Sequence, residues 1–256
     1  MNTEFHDLKG KSVFITGGAS GIGATLTDGF MAQGARVAFV DIANVEEATD
    51  ALQAKHGTRP LGMHCDVSDV DALQSAISRA DAAHGPVQIL VNNAADDVRH
   101  ATDAVSPQMW DENTGINLKP YFFACQAVLK GMQAQGGGTI INFSSVSYIM
   151  GNAGYPLYVM ANGGITAMTR SLAREFGPDG IRVNALAPGW VKTPKQLSAH
   201  GLGDPTIRQE HLDKQCLKRV IEPEDILGPV LFLASDCSKM MTGQLMAVDG
   251  GVVVTG

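Results

Sequence analysis

Cysteine is scarce in this chain, and the few cysteines form no cluster. The 256 residues include Cys65, Cys125, Cys216 and Cys237, with no C-x-x-C pair among them, and the histidines follow no metal-ligand spacing. Structural zinc sites and disulfide-stapled folds both need cysteines at short, paired spacings. We therefore expect reduced thiols and no metal site.

Positive charge and long apolar runs are also in short supply. Nineteen Lys and Arg stand against 26 Asp and Glu, which gives a formal net charge of -7. This balance disfavours non-specific nucleic-acid binding. No run approaches the ~18 apolar residues of a membrane helix, and the polar start MNTEFHDLKGK does not resemble a signal peptide. We expect a cytoplasmic protein without nucleic-acid or membrane partners.

Short apolar runs recur along the chain and predict strands. Hydrophobic residues make up 45% of the sequence, and no break in composition divides it, so residues 1–256 are expected to form one domain. Most of the runs are rich in β-branched residues without strict alternation, as in strands covered on both faces. The predicted strands are Ser12–Thr16, Arg36–Val40, Leu61–Cys65, Gln88–Val91, Gly138–Phe143, Ile181–Ala187 and Gln244–Val248.

Amphipathic stretches lie between these runs and predict helices. They are Gly21–Gln33, Val45–His56, Val70–His84, Pro107–Gln135, Leu157–Phe176 and Pro223–Ala234. Strand–helix alternation of this length predicts an α/β fold, a doubly wound and mostly parallel seven-stranded sheet of the Rossmann type with helices on both faces. The irregular segment 190–222 follows a late strand, where such folds place a substrate lid.

A glycine-rich turn follows the first predicted strand. Gly17, Gly21 and Gly23 lie in the stretch TGGASGIG, directly before a predicted helix. Glycine lets backbone amides approach phosphate oxygens closely, and the helix N-terminus adds a positive dipole end. This context predicts binding of a dinucleotide.

Two carboxylates follow later strands and bear on the choice of cofactor. Asp41 ends the second strand, where a carboxylate can accept hydrogen bonds from the adenosine ribose and repel a 2′-phosphate. This position favours NAD over NADP, although Asp41 could also be an ordinary polar strand end. Asp66 follows the third strand and could bind the adenine edge or cap a helix.

The motifs together resemble the short-chain dehydrogenase/reductase family over nearly the whole chain, from Lys11 to Gly251. They are TGGASGIG, Asp66-Val67, Asn92-Asn93-Ala94, Ile116-Asn117, Ser144-Ser145, Tyr158, Pro188-Gly189 and Val248-Asp249-Gly250-Gly251. The resemblance implies a cofactor site formed by Gly17, Ser20, Gly21, Ile22, Gly23, Asp41, Asp66, Val67, Asn93, Ala94, Tyr158, Pro188, Gly189, Val191 and Thr193. Ala95 replaces the glycine that is usual in the family, so the loop path there is expected to differ slightly.

The same resemblance implies catalytic roles. Tyr158 matches the general acid/base, Ser145 the serine that bonds the reacting oxygen, and Asn117 the asparagine whose backbone helps hold a water in a proton relay. The chemistry of alcohol oxidation agrees with these roles, because it needs a base for the hydroxyl proton while hydride leaves the same carbon.

One position departs from the family's Tyr-x-x-x-Lys pattern. Asn162 stands four residues after Tyr158, and segment 155–174 contains no lysine. A nearby cation lowers a tyrosine pKa by ~1–3 units, and an amide cannot supply that charge. Three explanations stay open: an enzyme that is slow, works at elevated pH or uses another base; a cofactor-binding protein that has lost catalysis; or an introduced substitution.

The predicted substrate walls are polar. They are Asp96, Asp97, Arg99 and His100 after the fourth strand, the segment Ser147–Tyr155, and the lid residues Lys192, Lys195, Gln196 and His200. Such walls suit a hydroxyl-rich ligand, although they could also be solvated loop surface. The runs NNAADDVRH, PGWVKT and CLK resemble bacterial aldose dehydrogenases of the xylose and arabinose type, which implies oxidation of an anomeric hydroxyl to a lactone with NAD.

The leading hypothesis is therefore an NAD-dependent oxidoreductase acting on a small polar substrate, most simply a sugar. One alternative is a catalytically impaired NAD-binding homologue, and another is a carbonyl or 3-oxoacyl reductase, which Asp41 disfavours. The resemblance also implies a homotetramer or homodimer, and the apolar faces of Pro107–Gln135 and Leu157–Phe176 are compatible with that.

Overall fold

A computed structural model describes residues 4–199 and 201–253 and has a seven-stranded parallel sheet at its centre. The strand order is β3-β2-β1-β4-β5-β6-β7. The strands are β1 (Ser12–Thr16), β2 (Arg36–Asp41), β3 (Leu61–His64), β4 (Ile89–Asn92), β5 (Gly138–Phe143), β6 (Ile181–Pro188) and β7 (Leu245–Val248). The sequence prediction of a doubly wound parallel sheet is confirmed.

Helices cover both faces of the sheet and enclose two apolar clusters. They are α1 (Gly21–Ala32), α2 (Val45–His56), α3 (Val70–His84), α4 (Pro107–Asn117), α5 (Lys119–Ala134), α6 (Ser147–Met150), α7 (Pro156–Phe176), α8 (Pro194–Ala199), α9 (Pro205–Lys214) and α10 (Pro223–Ala234). Leu26 and Phe30 of α1 share one cluster with Val230 of α10. Helices α3, α5 and α7 supply the other. Strands buried on both faces explain why their sequences read as continuous apolar runs.

The chain reverses its direction of travel across the sheet between β3 and β4. Strand β1 pairs with β2 on one side and with β4 on the other, so Val13 lies between Val37 and Ile89. Connections leave β1 and β4 toward opposite faces, which opens a crevice beyond their carboxyl ends. The functional site is therefore expected at this edge.

The predicted helix Pro107–Gln135 is wrong as a single element, because the structure has two helices, α4 and α5, with a break at Leu118. Pro120 explains the break: inside a continuous helix it would lack one backbone hydrogen bond and clash with the preceding turn. The chain instead starts a new helix with this proline in its first turn. Asn117 becomes the last residue of α4, free to turn its side chain toward the site.

Segment 190–222 is more ordered than the sequence analysis expected. It contains helices α8 and α9, and a third short helix, α6, lies in segment 147–155. Across residues 4–199 and 201–253, none of the helices has the length and apolar character needed to cross a bilayer. The same residues contain no group of three or more potential metal ligands.

Candidate active site

A large cavity lies at the carboxyl edge of the sheet, with a volume of about 1280 Å³. It runs from the glycine-rich turn after β1 to the segment that follows β6. Every site residue expected from the sequence lines it: Gly17, Ser20, Gly21, Ile22, Gly23, Asp41, Asp66, Val67, Asn93, Ala94, Asn117, Ser145, Tyr158, Asn162, Pro188, Gly189, Val191 and Thr193. Residues separated by up to 176 positions in the sequence thus share one space.

The glycine-rich turn has backbone geometry that only glycine adopts readily. Gly17 and Gly21 have φ values of 69° and 52°. A Cβ built on Gly23 would lie 1.8 Å from the carbonyl oxygen of Gly17, so no other residue fits there. Ser20 caps α1 without a side-chain hydrogen bond to the helix. The first amides of α1 thus face the cavity with a positive dipole end, which suits a pyrophosphate.

Residues after β4 hold this turn in place. The side-chain amide of Asn93 donates to the carbonyl oxygens of Thr16 and Gly17 at 3.0 and 3.2 Å. The backbone amides of Asn93 and Ala94 both donate to the Thr16 hydroxyl, at 2.9 and 3.0 Å. The two central strands are therefore tied together where the cofactor would lie.

The two carboxylates of the predicted adenosine end differ in their contacts. One oxygen of Asp41 accepts a hydrogen bond from the Ala19 amide at 2.9 Å, and the other accepts from the Ile42 amide at 2.8 Å. Asp66 accepts only locally, from the Ser68 amide at 2.9 Å. Helix α3 is capped by Asp69 instead. The structure therefore does not give Asp66 the helix-capping role that the sequence left open, and its side chain remains at the cavity wall.

Tyr158 projects from α7 beside Ser145, which follows β5. Ser145 accepts a hydrogen bond from the Ser147 amide at 3.1 Å, which fixes its hydroxyl oxygen. Burial, reinforced by the negative charge of Asp97, raises the pKa of Tyr158 to about 12, although hydrogen bonding with Ser145 and Asn162 opposes the rise. The Tyr158 hydroxyl is therefore rarely ionised near neutral pH.

Asn162 is buried one helical turn beyond Tyr158. Its side-chain amide donates to the carbonyl oxygen of Tyr158 at 2.8 Å. Its own carbonyl oxygen accepts from the hydroxyls of Ser144 and Thr166 at 3.0 and 3.1 Å. The side-chain nitrogen is thus bonded to the helix, and the position carries no charge.

Asn117 contacts the loop after β4 through its side chain. Its amide oxygen accepts from the Asp96 backbone amide at 2.7 Å, and its amide nitrogen donates to the Asp96 carbonyl at 2.8 Å. This pair fixes the loop that replaces the expected glycine with Ala95. The contact depends on the helix break at Leu118, which ends α4 at Asn117.

Aromatic rings extend the site beyond Tyr158. The ring of Tyr155 stacks on that of Tyr158 with centroids 5.4 Å apart and an interplanar angle of 16°. The guanidinium of Arg99 lies 3.8 Å from the centroid of the Tyr155 ring, within cation–π range. Asn152 donates to the Tyr155 hydroxyl at 3.2 Å. This arrangement holds the tyrosine pair in a fixed orientation.

The segment after β6 closes the other side of the cavity. The Gly189 amide donates to the Val248 carbonyl at 2.9 Å. A Cβ on Gly21 would lie 3.3 Å from the Thr193 methyl, so this segment touches the glycine-rich turn directly. The predicted cofactor contacts of Pro188, Gly189, Val191 and Thr193 are therefore geometrically compatible with a dinucleotide that starts at Gly17.

Helix α8 is bonded to the loop after β4. Lys195 lies 2.7 Å from a carboxylate oxygen of Asp96 and 2.7 Å from one of Asp97. The Gln196 side-chain amide donates to Asp97 at 2.7 Å and accepts from the Trp190 indole. These contacts place α8 over the side of the cavity that the sequence predicts to bind the substrate. Of the other lid residues expected from the sequence, Lys192 pairs with Glu222 instead, and His200 lies outside the described residues.

The sequence analysis did not predict helices α8 and α9, and α9 contributes to the cavity wall. His211 and Lys214 line the wall from one face of α9, and the His211 ring packs edge-on against Trp190 with centroids 4.9 Å apart. Asp204 caps α9 by accepting from the Thr206 and Ile207 amides, just before Pro205. An Asp-Pro pair of this kind is a helix-start signal, as is Pro194 at the start of α8.

The sequence matches a known protein-family model. The family model is described as enoyl-(acyl carrier protein) reductase, and it matches residues 17–253. The match begins at the glycine-rich turn and ends in the segment after β7, so it spans the cavity and nearly all of the sheet.

Relatives of similar length align over almost the whole chain. The "Probable galactose dehydrogenase GalD" of Rhizobium meliloti (strain 1021) is 45% identical over 253 residues, which covers 98% of each chain. The D-xylose 1-dehydrogenase of Caulobacter vibrioides (strain NA1000 / CB15N) is 43% identical over 248 residues, covering 96% of this chain and 97% of the relative. A solved structure from Sinorhizobium meliloti 1021, described as a short-chain alcohol dehydrogenase, superposes with a TM-score of 0.91 at 33% identity, covering 97% of this chain and 98% of that one.

Proposed function

The chain belongs to the short-chain dehydrogenase/reductase family, and from that premise we propose that it is an NAD-dependent dehydrogenase that converts an aldose to its lactone. Membership makes it an oxidoreductase that uses a nicotinamide cofactor. The observation that carries the finer proposal is the single cavity that joins the glycine-rich turn to Tyr158 and then continues along polar lid residues. The cofactor half and the substrate half therefore meet at the tyrosine.

Asp41 supports NAD as the cofactor. Its carboxylate is held at the turn by the Ala19 and Ile42 amides, beside the cavity. The next two cavity-lining residues, Ile42 and Ala43, are uncharged and offer nothing to a phosphate. A carboxylate in this place accepts ribose hydroxyls and repels a 2′-phosphate.

The substrate wall supports a sugar. Asp97, Lys195, Gln196 and Asn152 surround the space beyond Tyr158 with hydrogen-bonding groups, and Trp190 adds an aromatic surface. A ligand with many hydroxyls can bond such groups, whereas a long acyl chain would place apolar surface against them. The names of the two relatives, a galactose dehydrogenase and a xylose 1-dehydrogenase, point to the same substrate class.

The roles of the residues follow from their positions. Tyr158 takes the proton of the hydroxyl being oxidised, and Ser145 bonds the same oxygen as charge develops on it. Asn117 holds the adjoining loop through Asp96. When bound, the dinucleotide supplies the hydride acceptor. An anomeric hydroxyl is more acidic than an ordinary alcohol, so it suits a site in which the base lacks a neighbouring cation.

A catalytically impaired NAD-binding protein is a second candidate, because two observations favour it. Position 162 is neutral and buried, and the pKa of Tyr158 is raised to about 12 by burial and by Asp97. Both features reduce the fraction of phenolate. A carbonyl or 3-oxoacyl reductase is less favoured, since Asp41 works against NADPH.

Two measurements test these proposals. Calorimetry with NADH and NADPH reports cofactor binding, and initial rates with D-galactose, D-xylose and L-arabinose report turnover, with Tyr158→Phe as the matched control. NADH uptake together with lactone formation that the control lacks supports the leading proposal. NADH uptake without turnover at any pH indicates the impaired homologue. Preference for NADPH, or uptake of neither nucleotide, refutes the assignment.

We also propose that the chain forms a homotetramer or homodimer. Trp110 of α4, Phe122 of α5 and Met160 of α7 leave 45%, 44% and 38% of their surface exposed. Large exposed side chains on neighbouring helices are typical of association surfaces. Sedimentation of wild type and of Trp110→Glu/Phe122→Glu tests this: a monomeric wild type refutes association, and a dissociated variant assigns the interface.

A further inference from the structure

The charges around Tyr158 disfavour its deprotonation, and the proposed function does not explain what compensates for them. Tyr158 must lose a proton, yet Asn162 provides no positive charge, and Asp97, which lines the same cavity, adds a negative one. A carboxylate beside a phenol stabilises the protonated form. Any cation that neutralises Asp97 therefore favours the phenolate.

Lys195 is placed to do this from across the cavity. Its ammonium is 2.7 Å from Asp97 and 2.7 Å from Asp96, although 99 positions separate it from Asp96 in the sequence. Gln196 bonds the second oxygen of Asp97 at 2.7 Å, which fixes the carboxylate from both sides. Only 17% of the Asp97 side chain is exposed, against 45% of the Lys195 side chain, so water screens the carboxylate less than the ammonium.

The geometry points to Lys195 as a positioning residue for the reaction centre, with its ammonium neutralising Asp97 in place of a positive charge at position 162. This inference rests on the proposed role of Tyr158 as the base. It assigns α8 two tasks: covering the substrate and supplying the charge balance that proton transfer requires. Lys195 then affects the deprotonation of Tyr158 indirectly, by neutralising the charge of Asp97.

The remaining charged and titratable groups around Tyr158 come from several elements. They are Asp96, Asp97 and Arg99 on the loop after β4, Tyr121 on α5, Tyr148 on α6, which packs near Gly163 of α7, Tyr155 directly before α7, Lys195 on α8, and His211 and Lys214 on α9. Arg99 lies over the ring of Tyr155, and Lys214 is exposed. Burial lowers the pKa of Lys195, but hydrogen bonds to Asp96 and Asp97 more than offset this, so its pKa is raised and it stays cationic at alkaline pH.

A purely structural role for Lys195 predicts the opposite result. If Lys195 only held α8 in place, its loss would loosen the lid and hydrate Tyr158. Hydration would lower the tyrosine pKa, because burial is the largest cause of its rise. Loss of the charge balance would instead raise it. The sign of the change therefore separates the two roles.

Fluorine NMR on the cofactor-free protein measures this sign. Ring-difluorinated tyrosine is more acidic than tyrosine and brings the titration into an accessible pH range. The chain has four tyrosines, so the spectrum is simple, and the Tyr158→Phe variant assigns the signal of interest. We expect Lys195→Met to raise the pKa of residue 158 by about one unit and Asp97→Asn to lower it by about one unit. The double variant should follow Asp97→Asn.

Lys192→Met is the matched control. Lys192 lies in the same segment, pairs with Glu222 at 2.9 Å and has 43% of its side chain exposed, against 45% for Lys195. Its replacement should leave the titration unchanged. An unchanged or lowered pKa in Lys195→Met, or an equal rise in Lys192→Met, overturns the inference. Because no substrate or cofactor is present, the result does not depend on whether the sugar dehydrogenase proposal holds.

Discussion

Replacing Asn162 with lysine should move the working pH range of the enzyme toward neutrality. The substitution places a cation one helical turn from Tyr158, where the helix has an amide bonded to the Tyr158 carbonyl at 2.8 Å. Residues four apart share a helix face, so the ammonium can approach the ring hydroxyl. The added charge favours the phenolate directly, without acting through Asp97.

The size of the effect follows from the raised pKa of Tyr158. Starting from about 12, a cation that lowers the pKa by ~1–3 units brings it to about 9–11. At a pH below both values, the fraction of phenolate rises by about 10- to 1,000-fold, since each unit corresponds to ~1.4 kcal/mol. We expect kcat to rise by a similar factor near neutral pH, and the gain should disappear at strongly alkaline pH.

The assay is the pH dependence of kcat for aldose oxidation by wild type, Asn162→Lys and Asn162→Met. Methionine has a similar length but no charge, so it controls for the lost hydrogen bond and for the altered packing of a buried position. A pH profile that moves only in the lysine variant supports the reasoning. If kcat of Asn162→Lys changes by the same factor at every pH, or if both variants behave alike, charge at this position does not govern the base.

Three further predictions concern the cofactor end and the fold. Gly23→Ala should abolish NADH binding in calorimetry and lower the free energy of unfolding in urea by about 1–3 kcal/mol, because the added Cβ would lie 1.8 Å from the Gly17 carbonyl oxygen. Normal NADH binding by this variant would refute the role of the turn in holding the phosphates. Asp41→Ala should shift the NAD-to-NADP ratio of kcat/KM by about tenfold toward NADP, and an unchanged ratio would exclude Asp41 as the selector. Hydrogen bonds from Arg219 lower the pKa of Asp225 below 3.8 in the folded protein. The ionised carboxylate therefore stabilises the fold above pH 3.8, and this stabilisation is lost as the pH falls through the lower folded pKa. In thermal unfolding, Asp225→Asn should be less stable than wild type by about 1 kcal/mol near neutral pH, and the difference should vanish in acid.

The strands and the cofactor end of the site were largely predictable from the sequence. Strands buried on both faces leave continuous apolar runs, so the boundaries of β1 and β5 match their predicted limits. The turn around Gly17 was predictable because its glycines are required by backbone geometry, which is a local property. A feature that depends on one short segment can therefore be predicted from the sequence of that segment.

The substrate end was less predictable because it is formed by contacts between distant segments. Nothing local indicates that Lys195 meets Asp97, since an ion pair between loops leaves no periodicity in either of them. The break at Leu118 was missed for another reason: the apolar pattern continues through it, and only Pro120 marked the restart. The resulting contact between Asn117, at the end of α4, and Asp96, in the loop after β4, could be found only from the three-dimensional structure.

Asp97 disfavours ionisation of Tyr158, so its position beside that side chain needs a reason. By raising the pKa of Tyr158 it reduces the phenolate fraction, and a site selected for proton abstraction alone would place an uncharged residue there. Asp97 also accepts bonds from Lys195 and Gln196 and so holds α8 over the proposed substrate space. A site that binds many hydroxyls needs such a cover, because water would otherwise compete for every hydrogen bond. If the proposals hold, the carboxylate orders α8 and the lysine limits the loss of phenolate at Tyr158 that this carboxylate causes.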